Sequence, residues 1–265
     1  MVSKFYKKYL QMKKTLLFLY LLLTINVFSQ SSLTGVVHYE SNYSRQTIDN
    51  YFSIRKKTVK NKKNKQFFDK VYLNTKSINS TLRFNLNEAL FELDKKISIK
   101  DRGNLVEKLS SITAGGIHKY YQNRTTRTLE LQNCETLGEC FIIVSKFKEW
   151  PSWSFLDSAF IKEWQLTQET KKIAGYLCYK AISIVKKINV VAWYCPQIPV
   201  SFGPKEYNGL PGLILELDNS SMYYRATKLT LNPKEKVLIK KPTKGIRVSQ
   251  KEFNEMSKAA WSKIK

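Results

Sequence analysis

The stretch Ile182-Ser183-Ile184-Val185-Lys186-Lys187-Ile188-Asn189-Val190-Val191-Ala192-Trp193 decides the fold. Two β-branched arms flank a polar Lys-Lys centre, so the segment predicts a hairpin and with it an antiparallel sheet. Downstream, Pro196, Pro199 and Pro204 cannot donate to a ladder; they end the second arm and hold an irregular loop. In Leu210-Pro211-Gly212-Leu213 a proline followed by a glycine predicts a type II turn, with Gly212 at positive φ. Leu213, Leu215 and Leu217 then alternate with Ile214 and Glu216 as a strand. Asp218–Ser221 turns the chain, and Met222–Leu231 returns it.

Upstream, Gly35–Tyr43 has the β-branched and aromatic content of an opening strand. Short runs recur at Phe67–Leu73, Thr81–Leu86, Ala89–Leu93, Ile117–Gln122, Thr126–Leu131 and Phe141–Phe147. Asn, Ser, Gly and Asp punctuate them, as in an antiparallel meander. Strands do not alternate with long helices, which excludes a parallel α/β sheet. One helix is expected at the C-terminus: Ser249 and Glu252 form a capping box. Behind it Phe253, Met256, Ala260 and Ile264 follow helical spacing. The fold class is therefore mainly β with a C-terminal amphipathic helix.

The N-terminus carries Lys4, Lys7, Lys8, Lys13 and Lys14, then an apolar run from Leu16 to Leu23 and a polar exit at Ser29-Gln30. That order predicts a signal peptide over residues 1–30, leaving a single domain over 31–265 in the periplasm or outside the cell. No later stretch is apolar for long enough to span a bilayer. The whole chain has a formal charge of +24, and removing those five lysines leaves +19. Such a surface favours anionic partners, and export makes envelope lipid or glycan better candidates than nucleic acid. Between Arg55 and Lys65 stand seven cations and no acid, which predicts a solvated charged face. In an oxidising compartment the four cysteines predict disulfides, Cys134 with Cys140 and Cys178 with Cys195 by local pairing. His38 and His118 are not at metal-ligand spacing from them, so neither metal nor cofactor is expected.

Trp164 to Leu217 is the most idiosyncratic region. It contains Gly175-Tyr176-Leu177-Cys178-Tyr179-Lys180-Ala181 and Ala192-Trp193-Tyr194-Cys195-Pro196-Gln197-Ile198-Pro199. Gly203-Pro204 and then Gly209-Leu210-Pro211-Gly212-Leu213-Ile214 follow. In this order and spacing the segments resemble the GLPGLI family of secreted Bacteroidetes-type proteins. The resemblance implies export and a curved, half-barrel or bowl-like sheet. It implies no activity and no catalytic residues. Cys195 stands where many relatives have threonine, so a Cys178–Cys195 bridge is not implied as a family property.

No His-Glu-x-x-His, Gly-x-Ser-x-Gly or phosphate-cradling glycine loop occurs. The expected function is an exported envelope binding or carrier module for an apolar, glycan or protein ligand. Its candidate ligand residues are Trp193, Tyr194, Phe202, Lys205 and Tyr207 around the prolines. The alternatives are a hydrolase of envelope polymers built on a carboxylate pair among Glu163, Glu169, Glu206, Glu216 and Asp218, and a structural accessory of an outer-membrane complex.

Overall fold

The computed structural model describes residues 33–73, 76–94, 105–134, 137, 139–146, 164–185 and 188–262. The expected signal peptide, Glu163 and the Lys186-Lys187 turn lie outside them. Thr34–Lys265 forms one compact unit. Its strands are β1 (Gly35–Tyr43), β2 (Ile78–Phe84), β3 (Glu88–Leu93), β4 (Lys119–Asn123), β5 (Thr128–Asn133) and β6 (Phe141–Lys146). They continue with β7 (Gln165–Ile173), β8 (Tyr176–Val185), β9 (Ile188–Cys195), β10 (Leu213–Asp218), β11 (Met222–Leu231) and β12 (Ile246–Ser249). All twelve join one open sheet in the order β12-β6-β5-β4-β3-β2-β1-β11-β10-β9-β8-β7. The pairings are antiparallel except β12 with β6, which is parallel. The described sheet and its core both lie within this unit.

Alternation sorts the side chains. One face carries Val37 and Tyr39 of β1, Leu82 and Phe84 of β2, Phe91 and Leu93 of β3, and Tyr224 of β11, all buried. Phe91 and Tyr224 stand three strands apart, yet their ring centroids are 6.1 Å from each other. Three strand spacings are about 14 Å, so the two rings lean toward each other over this inner face. The segment between β9 and β10 lies over this inner face. Tyr39 on β1 donates its hydroxyl to the Ile214 carbonyl at 2.6 Å, tying the middle of the sheet to the end of that segment.

The helices are α1 (Arg45–Asn50), α2 (Lys56–Thr58), α3 (Lys62–Leu73), α4 (Leu105–Ala114) and α5 (Gln250–Ser262), with a π-helical turn at Tyr51–Arg55. The run Phe67–Leu73, expected as a strand, is the end of α3. Phe67, Phe68, Val71 and Tyr72 recur at helical spacing, and Phe68 and Tyr72 pack on the buried Tyr51. The basic run Arg55–Lys65 is largely helical instead of a loop, though most of it is solvated. At α5 the capping box is present: Ser249 Oγ accepts from the Glu252 N–H at 3.2 Å, and Glu252 accepts from the Ser249 N–H at 2.7 Å. Such a cap contributes about 1 kcal/mol. Phe253 seats the helix against Phe141, with 5.6 Å between centroids.

Two turns matter for the site. β7 and β8 are joined by Ala174 (φ 48°) and Gly175 (φ 87°). Both central residues have positive φ, the requirement of the tight hairpin turn whose twist suits its strands. Tyr176 opens β8. The type II turn expected at Leu210–Leu213 does not form, because Gly212 is not at positive φ; Gly209 is, at 88°. Glycine is required at 212 for space: a Cβ there would lie 2.8 Å from the Pro196 nitrogen and closer still to the Cys195 carbonyl.

Candidate functional site

The segment Pro196–Gly212 is a plug more than a rim. Ile198, Val200, Phe202, Tyr207 and Leu210 are all at most 4% exposed. Of the five expected ligand residues, Tyr194, Phe202, Lys205 and Tyr207 are buried. Trp193 faces the other way, because it pairs with Lys180 and Glu216 while Tyr194 pairs with Tyr179 and Ile214. The Lys171 ammonium lies over its ring at 4.1 Å. The structure therefore does not assemble the five into one exposed aromatic surface. Phe202 and Tyr207 pack inside the plug, where burying a large aromatic contributes more than leaving it wet.

A buried polar network holds the plug down. Gln122 on β4 donates to the Lys205 carbonyl at 2.9 Å and accepts from Asn208 Nδ2 at 3.0 Å. Trp164 Nε1 donates to the Asn208 carbonyl at 3.0 Å. Lys205 adopts φ 55°, a conformation costly for a residue with a Cβ. Its ammonium lies 5.6 Å from the Tyr120 ring centroid. Burial opposes that charge, but neighbouring Tyr224, Glu206 and Tyr207 raise its pKa overall. Burial raises both tyrosines, Tyr207 and Tyr224. Close by, burial and then the Lys205 charge pull His118 down to about 4.

On the opposite face Glu216, nearly buried, is paired with Lys171 and lies 3.9 Å from Arg225. Beside it Cys178 and Cys195 sit on paired strands, one position beyond Tyr179 and Tyr194. Here a sequence expectation fails. Cys134–Cys140 is bridged, but Cys178 and Cys195 are free, buried thiols. Cys178 donates to the Tyr176 carbonyl at 3.6 Å. The neighbouring Cys178 thiol and the backbone N–H groups of Gln197 and Ile198 lower the Cys195 pKa, while Cys195 and burial raise that of Cys178. Native protein is expected to resist a thiol reagent and to release two reactive thiols on unfolding. Detection of none after unfolding would mean a bridge.

Two surface hollows flank the plug. One, about 370 Å³, lies where β7, β8 and the start of the plug meet, and is lined by Leu166, Thr167, Gln168, Leu177, Tyr179, Tyr194, Pro196 and Gln197. Leu166 and Leu177 are exposed, at 55% and 38%. Tyr179 and Tyr194 form its aromatic part, with centroids 6.2 Å apart and planes tilted by 37°. The exposed amides of Gln168 and Gln197 stand at its margin. The other, about 380 Å³, is lined by Arg124, Pro199, Ser201 and the backbone-rich run Gly209-Leu210-Pro211-Gly212. Of the expected residues only Tyr194 and the proline-glycine framework reach a hollow. The sequence reading missed Leu166, Gln168, Leu177, Tyr179 and Gln197, whose signal was only the ordinary alternation of β7 and β8.

Neither hollow is lined by a carboxylate. Glu169 is tied to Lys180 at 2.9 Å, and Glu206 belongs to the plug. Glu216 and Asp218 share the face opposite the plug, where burial, with Glu216 a lesser cause, raises Asp218. No group of three or more His, Cys, Asp or Glu residues able to hold a metal occurs among the described residues. No described helix is long and apolar enough to cross a membrane.

A family model described as "Protein of unknown function (Porph_ging)" matches residues 182–216, which run from β8 through the plug into β10. No curated protein matches the chain. Among solved structures the chain is similar to PNGF-II in two crystal forms. One has 17% identity and a TM-score of 0.49, covering 84% of this chain and 32% of that one. The other has 16% identity and a TM-score of 0.48, covering 85% and 32%. The chain thus spans about a third of the length of the solved structures it matches.

Proposed function

We propose that this chain is an exported, GLPGLI-type binding module of the cell envelope that takes an oligosaccharide in the hollow between β7, β8 and the plug. The hollow carries the reading. Its volume lies within the range of small-ligand sites, and its lining joins apolar and aromatic walls to a few polar groups. The half-buried Tyr179, backed by the buried Tyr194, offers ring surface to the C–H face of a sugar. The Gln168 and Gln197 amides each supply a donor and an acceptor suited to hydroxyls. The Cys134–Cys140 bridge supports an oxidising, exported setting. The family-model match contains the Gly209–Ile214 hexapeptide, in keeping with the GLPGLI resemblance.

The test is calorimetric titration of residues 31–265 with a panel of neutral and acidic envelope oligosaccharides. At least one is expected to bind. Tyr179→Ala and Gln168→Ala should each weaken it about tenfold, or ~1.4 kcal/mol, and the exposed Gln168 change should leave the melting temperature in place. Binding by no member of the panel, or binding that neither substitution alters, overturns the reading.

A further inference from the structure

The helical segment after β1 carries a surface unlike the rest of the molecule. Its apolar interior is already occupied. Tyr51 is 2% exposed, its ring meets Tyr72 at 4.9 Å, and its hydroxyl donates to Asp69 at 2.7 Å. Yet the π-helical turn that begins with Tyr51 turns the next apolar side chains outward, leaving Phe52 39% and Ile54 61% exposed. A π-turn inside a helical run is uncommon and often marks a functional position. From Lys56 to Phe68 the chain has six lysines and no acid. Lys57, Lys60, Lys62 and Lys63 are exposed, and none of these four is held in an ion pair among the described residues. Asp69, just beyond, is engaged by Tyr51 and by Lys56 at 3.1 Å.

Two solvent-facing apolar side chains beside an unneutralised lysine cluster are the combination that docks a helix on an anionic bilayer. The lysines are drawn to the headgroup charge, and the apolar groups enter the acyl boundary. Phe52 packs partly on Tyr51 and under the Lys56 ammonium, but a purely solvated charged face would have no use for Ile54, the more exposed of the two. We infer that the Phe52–Lys63 surface is a membrane-docking patch that seats the domain on a bilayer rich in anionic lipid. The patch shares no residue with the β7–β8 hollow, so a ligand could still be taken while the domain is docked.

The test is sedimentation of residues 31–265 with vesicles of mixed phosphatidylglycerol and phosphatidylcholine, and with pure phosphatidylcholine. Binding is expected to the anionic vesicles only and to fall with salt, since screening weakens attraction between exposed charges. The pair Lys62→Gln/Lys63→Gln should lower vesicle affinity by roughly tenfold or more. Ile54→Ser should lower it further and abolish whatever binding survives high salt. All three positions are exposed, and an unchanged far-ultraviolet circular dichroism spectrum verifies the fold. Three results overturn the inference: equal binding to both vesicle types, no binding to either, or binding unaffected by the substitutions. Release by inorganic phosphate beyond that caused by chloride of equal ionic strength also overturns it, since a discrete phosphate site would then be responsible.

Discussion

Gly212→Ala is expected to destabilise the domain by about 3 kcal/mol or more, among the larger effects of any single methyl group. The added Cβ would stand 2.5 Å from the Cys195 carbonyl carbon and 2.8 Å from the Pro196 nitrogen. Both are backbone atoms, so no rotamer change relieves the clash, and the end of β9 and the start of β10 must separate. That separation breaks the pairing of Leu213 with Cys195 and disturbs the Leu213 N–H bond to the Ile198 carbonyl, 3.0 Å long. For a domain of this size the expected fall in melting temperature is on the order of 10 °C. Pro211→Ala is the control one residue away: Pro211 is exposed, and its loss should cost under about 1 kcal/mol. Thermal unfolding followed by circular dichroism compares them. A Gly212→Ala protein that melts within about 2 °C of the parent would remove the steric account of this glycine.

The second large effect is a pH dependence centred on His118. Burial, followed by the nearby Lys205 charge, lowers its pKa from 6.5 to about 4 in the folded chain. Between those values the unfolded chain binds the proton and the folded chain does not, so stability rises with pH across the window. The stability associated with neutral His118 is fully present above pH 6.5 and is lost as pH falls through about 4. A shift of this size corresponds to ~3 kcal/mol. Carboxylates titrate in the same range, so the diagnostic quantity is a difference. His118→Gln, which cannot take up the proton, should lose about 2 kcal/mol less than the parent between pH 7 and pH 4.5. Urea midpoints at the two pH values measure it, and equal losses would refute the assignment.

Strands whose alternation is complete within themselves were legible in the sequence. β1 spans Gly35–Tyr43 and β11 spans Met222–Leu231, both as read from the residues, and the α5 cap is formed by the two residues that spelled it. The insertion between β1 and β2 was not legible. Phe67 and Phe68 favour a strand locally, and only their docking on Tyr51 selects the helix. The site was harder for a related reason. Which face an aromatic occupies depends on parity, and the register shift between Ile214 and Glu216 changes it within one strand. Trp193 and Tyr194, adjacent on β9, face opposite sides of the sheet, and the Phe202–Tyr207 run turns inward. The hollow itself is tertiary. Leu166, Leu177 and Gln197 become neighbours only after three separate segments meet.

The strand at the middle of the sheet, β1, is also the first of the described strands in sequence. One of its partners, β2, follows within the same stretch of sequence, but the other, β11, arrives last but one. Thr227 on β11 donates to the His38 carbonyl across 189 positions of sequence. While the chain is being made, N-terminus first, β1 and β2 can pair, and the opposite edge of β1 must wait for β11. Until then Val37 and Tyr39 lack the neighbour that completes their burial, and their backbone groups stand open to other chains. Pairing over so long a distance is slow. Anything that shields that edge while synthesis finishes, whether a chaperone or a delay in release, therefore acts on the yield of this protein more than on its final stability.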